Sequence, residues 1–215
     1  MIVLINPNTS AETTDKMLRI ARGTAGRAVR IEGLTATFGA PLITDREALD
    51  YAAEAVVAMA PKIVGAEAVI IAAFGDPGLG LMRARLAIPV SGIAEASMAE
   101  AGENGRLFAV VTTTPLLRNC IAETAADQGY NSFIGTWTTP GDPVVLTTDY
   151  NALVDALAAA CFEAIAGGAE AIVIGGGPLV EAARALVGTM PVPLIEPLPA
   201  AVRLTLSRLS LGVSE

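Results

Sequence analysis

Short aliphatic runs alternate with longer amphipathic stretches along the whole chain, the pattern of successive strand–helix units. The first run, Ile2 to Ile5, is closed by Asn6-Pro7-Asn8-Thr9-Ser10. A helix over Ala11 to Thr24 is predicted to follow, with Asn8, Thr9 or Ser10 able to cap it. A strand near Val29 to Thr35, a loop from Phe38 to Thr44 and a helix over Asp45 to Val64 come next. Ala68 to Ala73 read as a buried strand ending in Phe74-Gly75-Asp76-Pro77-Gly78, then a helix over Leu79 to Ala87 leads to a strand over Pro89 to Ile93.

The order then repeats. Leu107 to Val111 is a strand ending in Thr112-Thr113-Thr114-Pro115, followed by a helix that contains Cys120 and a strand over Phe133 to Thr139. After a loop from Pro140 to Thr148 comes a helix over Tyr150 to Ala166, then a strand over Ala171 to Ile174 ending in Gly175-Gly176-Gly177-Pro178. A last strand over Pro193 to Ile195 ends in Glu196-Pro197, and a final helix closes the chain. Gly65-Ala66-Glu67-Ala68-Val69-Ile70-Ile71 matches Gly168-Ala169-Glu170-Ala171-Ile172-Val173-Ile174, and each copy precedes a glycine-containing turn and a short strand opened by proline. This internal duplication predicts an α/β fold of two similar lobes, each a parallel β-sheet flanked by helices. A pseudo-two-fold should relate the lobes, with a cleft between them. Lobe 1 is expected over 1–97 and lobe 2 over 98–197, with the C-terminal helix, 198–215, packing back onto lobe 1.

Composition sharpens this picture. Hydrophobic residues make up 53% of the 215 and aromatics only 4%, so buried parallel strands should be continuous aliphatic runs under closely packed helices. The net charge of −8 comes without any dense run of Lys or Arg, so no nucleic-acid partner is expected. No uncharged apolar stretch is long enough to span a bilayer, and the N-terminus has no basic region before its apolar run. The expectation is a cytoplasmic protein with no membrane partner. There is no histidine, and the two cysteines, Cys120 and Cys161, stand in no metal-spaced cluster, so no metal site is expected. Any general base must be a carboxylate, a tyrosine, a cysteine, Lys16 or Lys62.

In parallel sheets ligands bind beyond the carboxyl ends of the strands, and four strand ends here carry polar or glycine-rich turns. If the lobes face each other, the turns at Asn6 to Ser10, Phe74 to Gly78, Thr112 to Thr114 and Gly175 to Gly177 converge. Free N–H groups at helix N-termini, with Asn8, Thr9, Thr113 and Thr114 as side-chain donors, suit a small carboxylate or a polarised amide carbonyl. Each feature also has a plainer reading. Hydroxyl residues after strands serve as helix caps, and glycines serve tight turns. Asp76 either caps the helix that follows it or belongs to the site. Glu196, facing the cleft region, is either a general base or a paired surface acid. Cys120 and Cys161 read as buried core residues of helices. Tyr150 follows a loop that could overhang the cleft.

Three of these segments carry a family resemblance. Ile5-Asn6-Pro7-Asn8-Thr9-Ser10, Phe74-Gly75-Asp76-Pro77-Gly78-Leu79 and Pro89-Val90-Ser91-Gly92-Ile93-Ala94-Glu95-Ala96 resemble three motifs of the Asp/Glu/hydantoin racemase family, in its hydantoin and allantoin racemase branch. The resemblance extends over essentially the whole chain. It implies a cofactor-independent isomerase, a homo-oligomer by analogy, acting on a small hydantoin-like or amino-acid-derived carbon acid. The partner is accordingly a small-molecule anion or cyclic amide. It implies substrate contacts from Asn8, Thr9, Ala73, Phe74, Gly75, Thr113, Thr114, Gly176 and Gly177.

The family's two proton-transferring cysteines align with Ala73 and Gly176, so thiol-based two-base racemisation is not expected. Asp76 and Glu196 are the nearest candidate replacements as catalytic residues. Three readings stay open: an isomerase with altered chemistry, a lyase (decarboxylase) or hydrolase in the same cleft, and a non-catalytic small-anion binding protein.

Overall fold

The strands predicted from the aliphatic runs pair into two separate parallel sheets of four strands each. The computed structural model describes residues 1–211. In the first sheet β1 (Ile2–Asn6), β2 (Ile31–Thr35), β3 (Ala68–Ile71) and β4 (Val90–Gly92) take the order β2-β1-β3-β4. In the second, β5 (Phe108–Thr112), β6 (Phe133–Thr138), β7 (Ala171–Ile174) and β8 (Leu194–Ile195) take the order β6-β5-β7-β8. The orders are equivalent, so the internal sequence match is a match of topology. The copies differ at β6, where the register skips Ile134 and Gly135 takes φ 143°, a bulge absent from β2.

Alternation along the strands explains why they read as unbroken apolar runs. Ile2 and Leu4 of β1, Ala68 and Ile70 of β3, Phe108 and Val110 of β5, and Ala171 and Val173 of β7 share one central core. Val3, Ile5, Val69 and Ile71 point instead to an outer core of the first lobe. Ala109, Val111, Ile172 and Ile174 do the same in the second. Both faces of each sheet are covered, as parallel sheets require.

The helices of the first half are α1 (Ala11–Ala25), α2 (Arg46–Ala58), α3 (Leu79–Arg85) and α4 (Ile93–Ala101). Those of the second are α5 (Arg118–Asp127), the single turn α6 (Pro143–Leu146), α7 (Tyr150–Ala166), α8 (Val180–Leu186) and α9 (Pro197–Leu211). Ser10 caps α1 by accepting from the Thr13 N–H at 3.1 Å, and Asp149 caps α7 by accepting from Ala152. Helix α2 is shorter than its predicted span: Pro61 breaks it, and a 3₁₀ turn, Ala60–Lys62, follows. The sequence pattern did not predict α4 or α8. In α4 the run from Ile93 to Met98 is buried all round, so it carries no polar face from which a helical period can be read.

Helix α9 packs against α1, α4 and strands β3 and β4, all in the first half of the chain. The predicted span of this helix ran to 215, and its last residues, 212–215, lie outside the described ones. An ionic cluster fastens it there. Glu95 of α4 accepts from Arg83 at 2.8 Å and from Arg208 of α9 at 2.7 Å. Arg208 also donates to the Ser91 hydroxyl and the Val90 carbonyl. Burial raises the pKa of Glu95, but the two guanidinium groups more than offset it and hold the carboxyl below its usual range. Between the lobes, Tyr130 donates its hydroxyl to the Glu95 carbonyl at 3.0 Å, and Arg46 pairs with Glu123.

Candidate active site at the facing strand ends

The carboxyl ends of β1, β3, β5 and β7 meet at one cleft, lined from both lobes. The turn after β1 is braced by its own side chains. Asn6 Nδ2 donates to Asn8 Oδ1 at 2.7 Å, and the Asn8 N–H donates to Asn6 Oδ1 at 3.1 Å. Asn8 Oδ1 also accepts from the Ser10 N–H at 2.9 Å. The Asn8 oxygen is thus occupied, and its Nδ2, which has no partner among the described residues, is what Asn8 offers the cleft.

The equivalent turn after β5 uses hydroxyls. Thr112 and Thr114 share a hydrogen bond between their side-chain oxygens at 3.0 Å, and Thr113 makes no side-chain bond among the described residues. Thr112, Thr113 and Thr114 are all buried and all line the cleft. Thr114 and Asn8 stand at the same step past their strands, one donor from each lobe.

Ala73, which follows β3, and Gly176, which follows β7, line the cleft at equivalent places in the two lobes. The Gly176 backbone has φ 145°, and a Cβ built there would meet Leu179 at 3.1 Å. Gly175 is required for a different reason. A Cβ at that position would lie 2.9 Å from the Phe74 ring, so the ring packs flat on the glycine backbone. The N–H groups of Gly176 and Gly177 make no backbone hydrogen bond in the turns and loops of the described residues.

Of the nine residues expected to touch a ligand, Asn8, Ala73, Phe74, Thr113, Thr114, Gly176 and Gly177 meet in this cleft. Thr9 does not, and its N–H is spent on the Ala40 carbonyl at 3.1 Å. Gly75 lies on a separate surface groove beside Leu49 and Asp76. Neither carboxylate expected as a base lines the cleft. Asp76 is buried, and its two oxygens accept from the N–H groups of Ala94 at 2.9 Å and Glu95 at 2.7 Å. It therefore caps α4 rather than α3, the helix that follows it in sequence. Burial pushes its pKa up to about 7, against the pull of those two N–H donors. Glu196 sits 3.4 Å from Arg184, away from the cleft.

Cys120 and Cys161 are buried in α5 and α7, and burial raises both thiols, Cys161 to about 12. Tyr150 is half exposed and lines an outer groove with Lys16 and Arg184, while Thr147 from the preceding loop lines the cleft instead.

The sequence reading missed the apolar wall. Leu42 and Ile43 come from the loop after β2, and Leu117 and Ile121 lie one helical turn apart at the start of α5. The signal was available in part, because adjacent Leu and Ile in a loop need something to cover them. Among the described residues no Asp, Glu, Lys, Arg, Tyr or Cys lines the cleft, and its polar side chains are neutral amides and hydroxyls. Among the described residues no cluster of acids or cysteines is placed to hold a metal ion, and no helix is long and apolar enough to cross a membrane.

Two four-stranded sheets of equivalent order, with a cleft lined by the strand ends of both, define a two-lobed α/β fold with a pseudo-symmetric site. The chain belongs to the Asp/Glu/hydantoin racemase family, whose model matches residues 2–205. It is 29% identical to the hydantoin racemase of Paenarthrobacter aurescens over 216 residues, spanning 98% of this chain and 92% of that protein. Among solved structures, the allantoin racemase of Klebsiella pneumoniae is 32% identical with a TM-score of 0.88, covering 98% of this chain and 88% of that one. The allantoin racemase of Pseudomonas fluorescens is 28% identical with a TM-score of 0.92, covering 98% and 91%. The family read from the three sequence motifs and the two-lobed fold both stand.

Proposed function

We propose that the cleft takes a small hydantoin-like or amino-acid-derived carbon acid and that the chain acts on it as a cofactor-independent isomerase. The reacting carbon lies between Ala73 and Gly176. The observation that carries this reading is the convergence of equivalent turns from both lobes, with a neutral donor from each, Asn8 and Thr114, lining one cleft. As a proton leaves the carbon, charge builds on the neighbouring carbonyl oxygen. Asn8 Nδ2, the Thr113 and Thr114 hydroxyls and the N–H groups of Gly176 and Gly177 are the donors that would hold it. Asp76 acts here as a positioning residue, holding the turn that carries Ala73 and Phe74 against the start of α4.

A second reading, a binding protein without turnover, is favoured by a cleft wall that, among the described residues, carries no ionisable side chain. Proton NMR in D2O with hydantoins, allantoin, aspartate, glutamate and substituted malonates separates the two. Loss of the α-proton signal above the buffer control is the outcome expected of the isomerase. Ligands that raise the melting temperature without exchange would transfer the assignment to binding alone.

A further inference from the structure

Asn6, the last residue of β1, is fully buried and is not part of the cleft wall. Backbone groups of fixed polarity pin its amide at both ends. The Asn8 N–H donates to its Oδ1 at 3.1 Å, and its Nδ2 donates to the Ser10 carbonyl at 3.0 Å. The same Nδ2 lies 2.7 Å from Asn8 Oδ1 and 3.0 Å from Thr14 Oγ1. Asn8 is pinned in turn. Its Oδ1 faces two donors, Asn6 Nδ2 and the Ser10 N–H at 2.9 Å, so turning the amide over would set donor against donor twice. In the second lobe Thr112 ends β5 at the equivalent place, and its hydroxyl meets that of Thr114 at 3.0 Å with either oxygen able to donate. Thr114 can therefore give or accept a hydrogen bond, whereas Asn8 is held as a donor.

We propose that Asn6 is a positioning residue that sets the hydrogen-bond polarity of the cleft. By holding Asn8 Oδ1 inward it presents Asn8 Nδ2 to the ligand, so this half of the site recognises an acceptor oxygen and rejects an N–H. The proposal rests on the reading above that Asn8 contacts the ligand, and it adds the residue that decides what Asn8 can recognise. An ionised carboxyl at position 6 inverts the arrangement. Its oxygen in place of Nδ2 repels Asn8 Oδ1 and attracts Asn8 Nδ2, and that charge-assisted hydrogen bond outweighs the neutral one lost to Ser10. The Asn8 amide then turns over and shows the cleft an acceptor. A protonated carboxyl still carries a donor and leaves Asn8 as it is. Asn6→Asp is thus a switch worked by pH, whereas a role in packing alone gives nothing that titrates. The hydrogen-bond partners around position 6, Asn8, Ser10 and Thr14, do not ionise. Burial raises the introduced carboxyl above the ordinary carboxylate range.

The test is calorimetric binding of 5-methylhydantoin between pH 5 and 8 to the parent, Asn6→Asp and Asn8→Asp, with the Asn8 side-chain amide followed by NMR without ligand. Relative to the parent, Asn6→Asp should bind equally at the acid end and roughly tenfold more weakly at the alkaline end. Asn8→Asp, whose cleft-facing oxygen only accepts, should be weak throughout. At the alkaline end the Asn8 amide protons of Asn6→Asp should gain a nuclear Overhauser contact to the Ser10 N–H that the parent lacks. Asn6→Thr, which keeps a hydroxyl donor, and Asn6→Val, of the same shape without one, repeat the comparison without a buried charge, and the Thr variant should bind more tightly. An Asn8 amide that keeps its parental contacts in Asn6→Asp at every pH would overturn the proposal, as would equal binding by the Thr and Val variants. Loss of binding in Asn8→Asp while Asn6→Asp tracks the parent would overturn it and leave the ligand reading in place. A parent that ignores 5-methylhydantoin, with an Asn8 amide that still turns over in Asn6→Asp, would uphold the role of Asn6 and remove the ligand class proposed above.

Discussion

The turn after β3 and the turn after β7 occupy the same place in the two lobes, yet they are held by opposite means. In the first lobe Asp76, itself in a left-handed conformation with φ 48°, reaches into the start of α4 and binds two backbone N–H groups. Gly92 makes room for it, since a Cβ there would lie 2.1 Å from the carboxyl carbon. In the second lobe the residue three steps past Gly176 is Leu179, buried in the outer apolar core. One turn is fixed by directional hydrogen bonds to a buried carboxyl group, the other by packing around a glycine run. A duplicated scaffold can thus keep its geometry while exchanging the forces that maintain it.

The largest effect should come from breaking the polar anchor. Asp76→Ala strands two buried donors and leaves alanine in a left-handed conformation, a loss of roughly 3–5 kcal/mol in denaturant unfolding. Gly92→Ala should reproduce much of that loss by displacing the carboxylate, and a Gly92→Ala protein as stable as the parent would dissolve the comparison. Next comes the apolar anchor, where Leu179→Ala should cost about 3 kcal/mol through the cavity it leaves. Gly176→Ala should cost about 1–3 kcal/mol through backbone strain. Ala73→Ser at the equivalent place in the first lobe should change stability far less.

The two anchors also differ in pH dependence. The folded chain holds the Asp76 proton up to about 7, above the ordinary carboxylate range. Its stabilising contribution is therefore complete at acid pH and is lost as pH rises through about 7. Glu95, lowered by its arginines, contributes in the opposite sense and loses its share as pH falls. The melting temperature of Asp76→Asn should consequently fall less steeply between pH 5 and 8 than that of the parent, and Leu179→Ala should keep the parental slope. Smaller still, Asn8→Ala and Thr114→Ala should each weaken ligand binding about fivefold by calorimetry, one lost hydrogen bond apiece. Cys120→Ser and Cys161→Ser should leave ligand handling unchanged, and lost activity in a folded variant would return a thiol to the mechanism.

Most of the architecture was legible because aliphatic strands, proline-opened edges and the Gly-Ala-Glu repeat are local signals. The strand over Ala171 to Ile174 and the helix over Tyr150 to Ala166 fall where the pattern put them. Helix α4 was hidden because burial on every side erases its period. That Asn8, Thr113 and Thr114 line one cleft was legible from their position after strands. The destinations of Asp76 and Glu196 were not, since a carboxylate's partner is set by tertiary approach. Asp76 finds its acceptor-seeking N–H groups at Ala94 and Glu95, and no local rule connects those residues. The apolar wall has the same origin, with Ile43 and Ile121 arriving from different lobes.

The strands β1, β3, β5 and β7 send alternate side chains into one core held in common by both sheets. The molecule is consequently two copies by ancestry and a single body mechanically. Neither half retains a closed interior when cut away, so severed halves should be insoluble alone and regain solubility only on co-expression. The loops bearing Ile43 and Thr147 border the cleft from opposite halves of the chain.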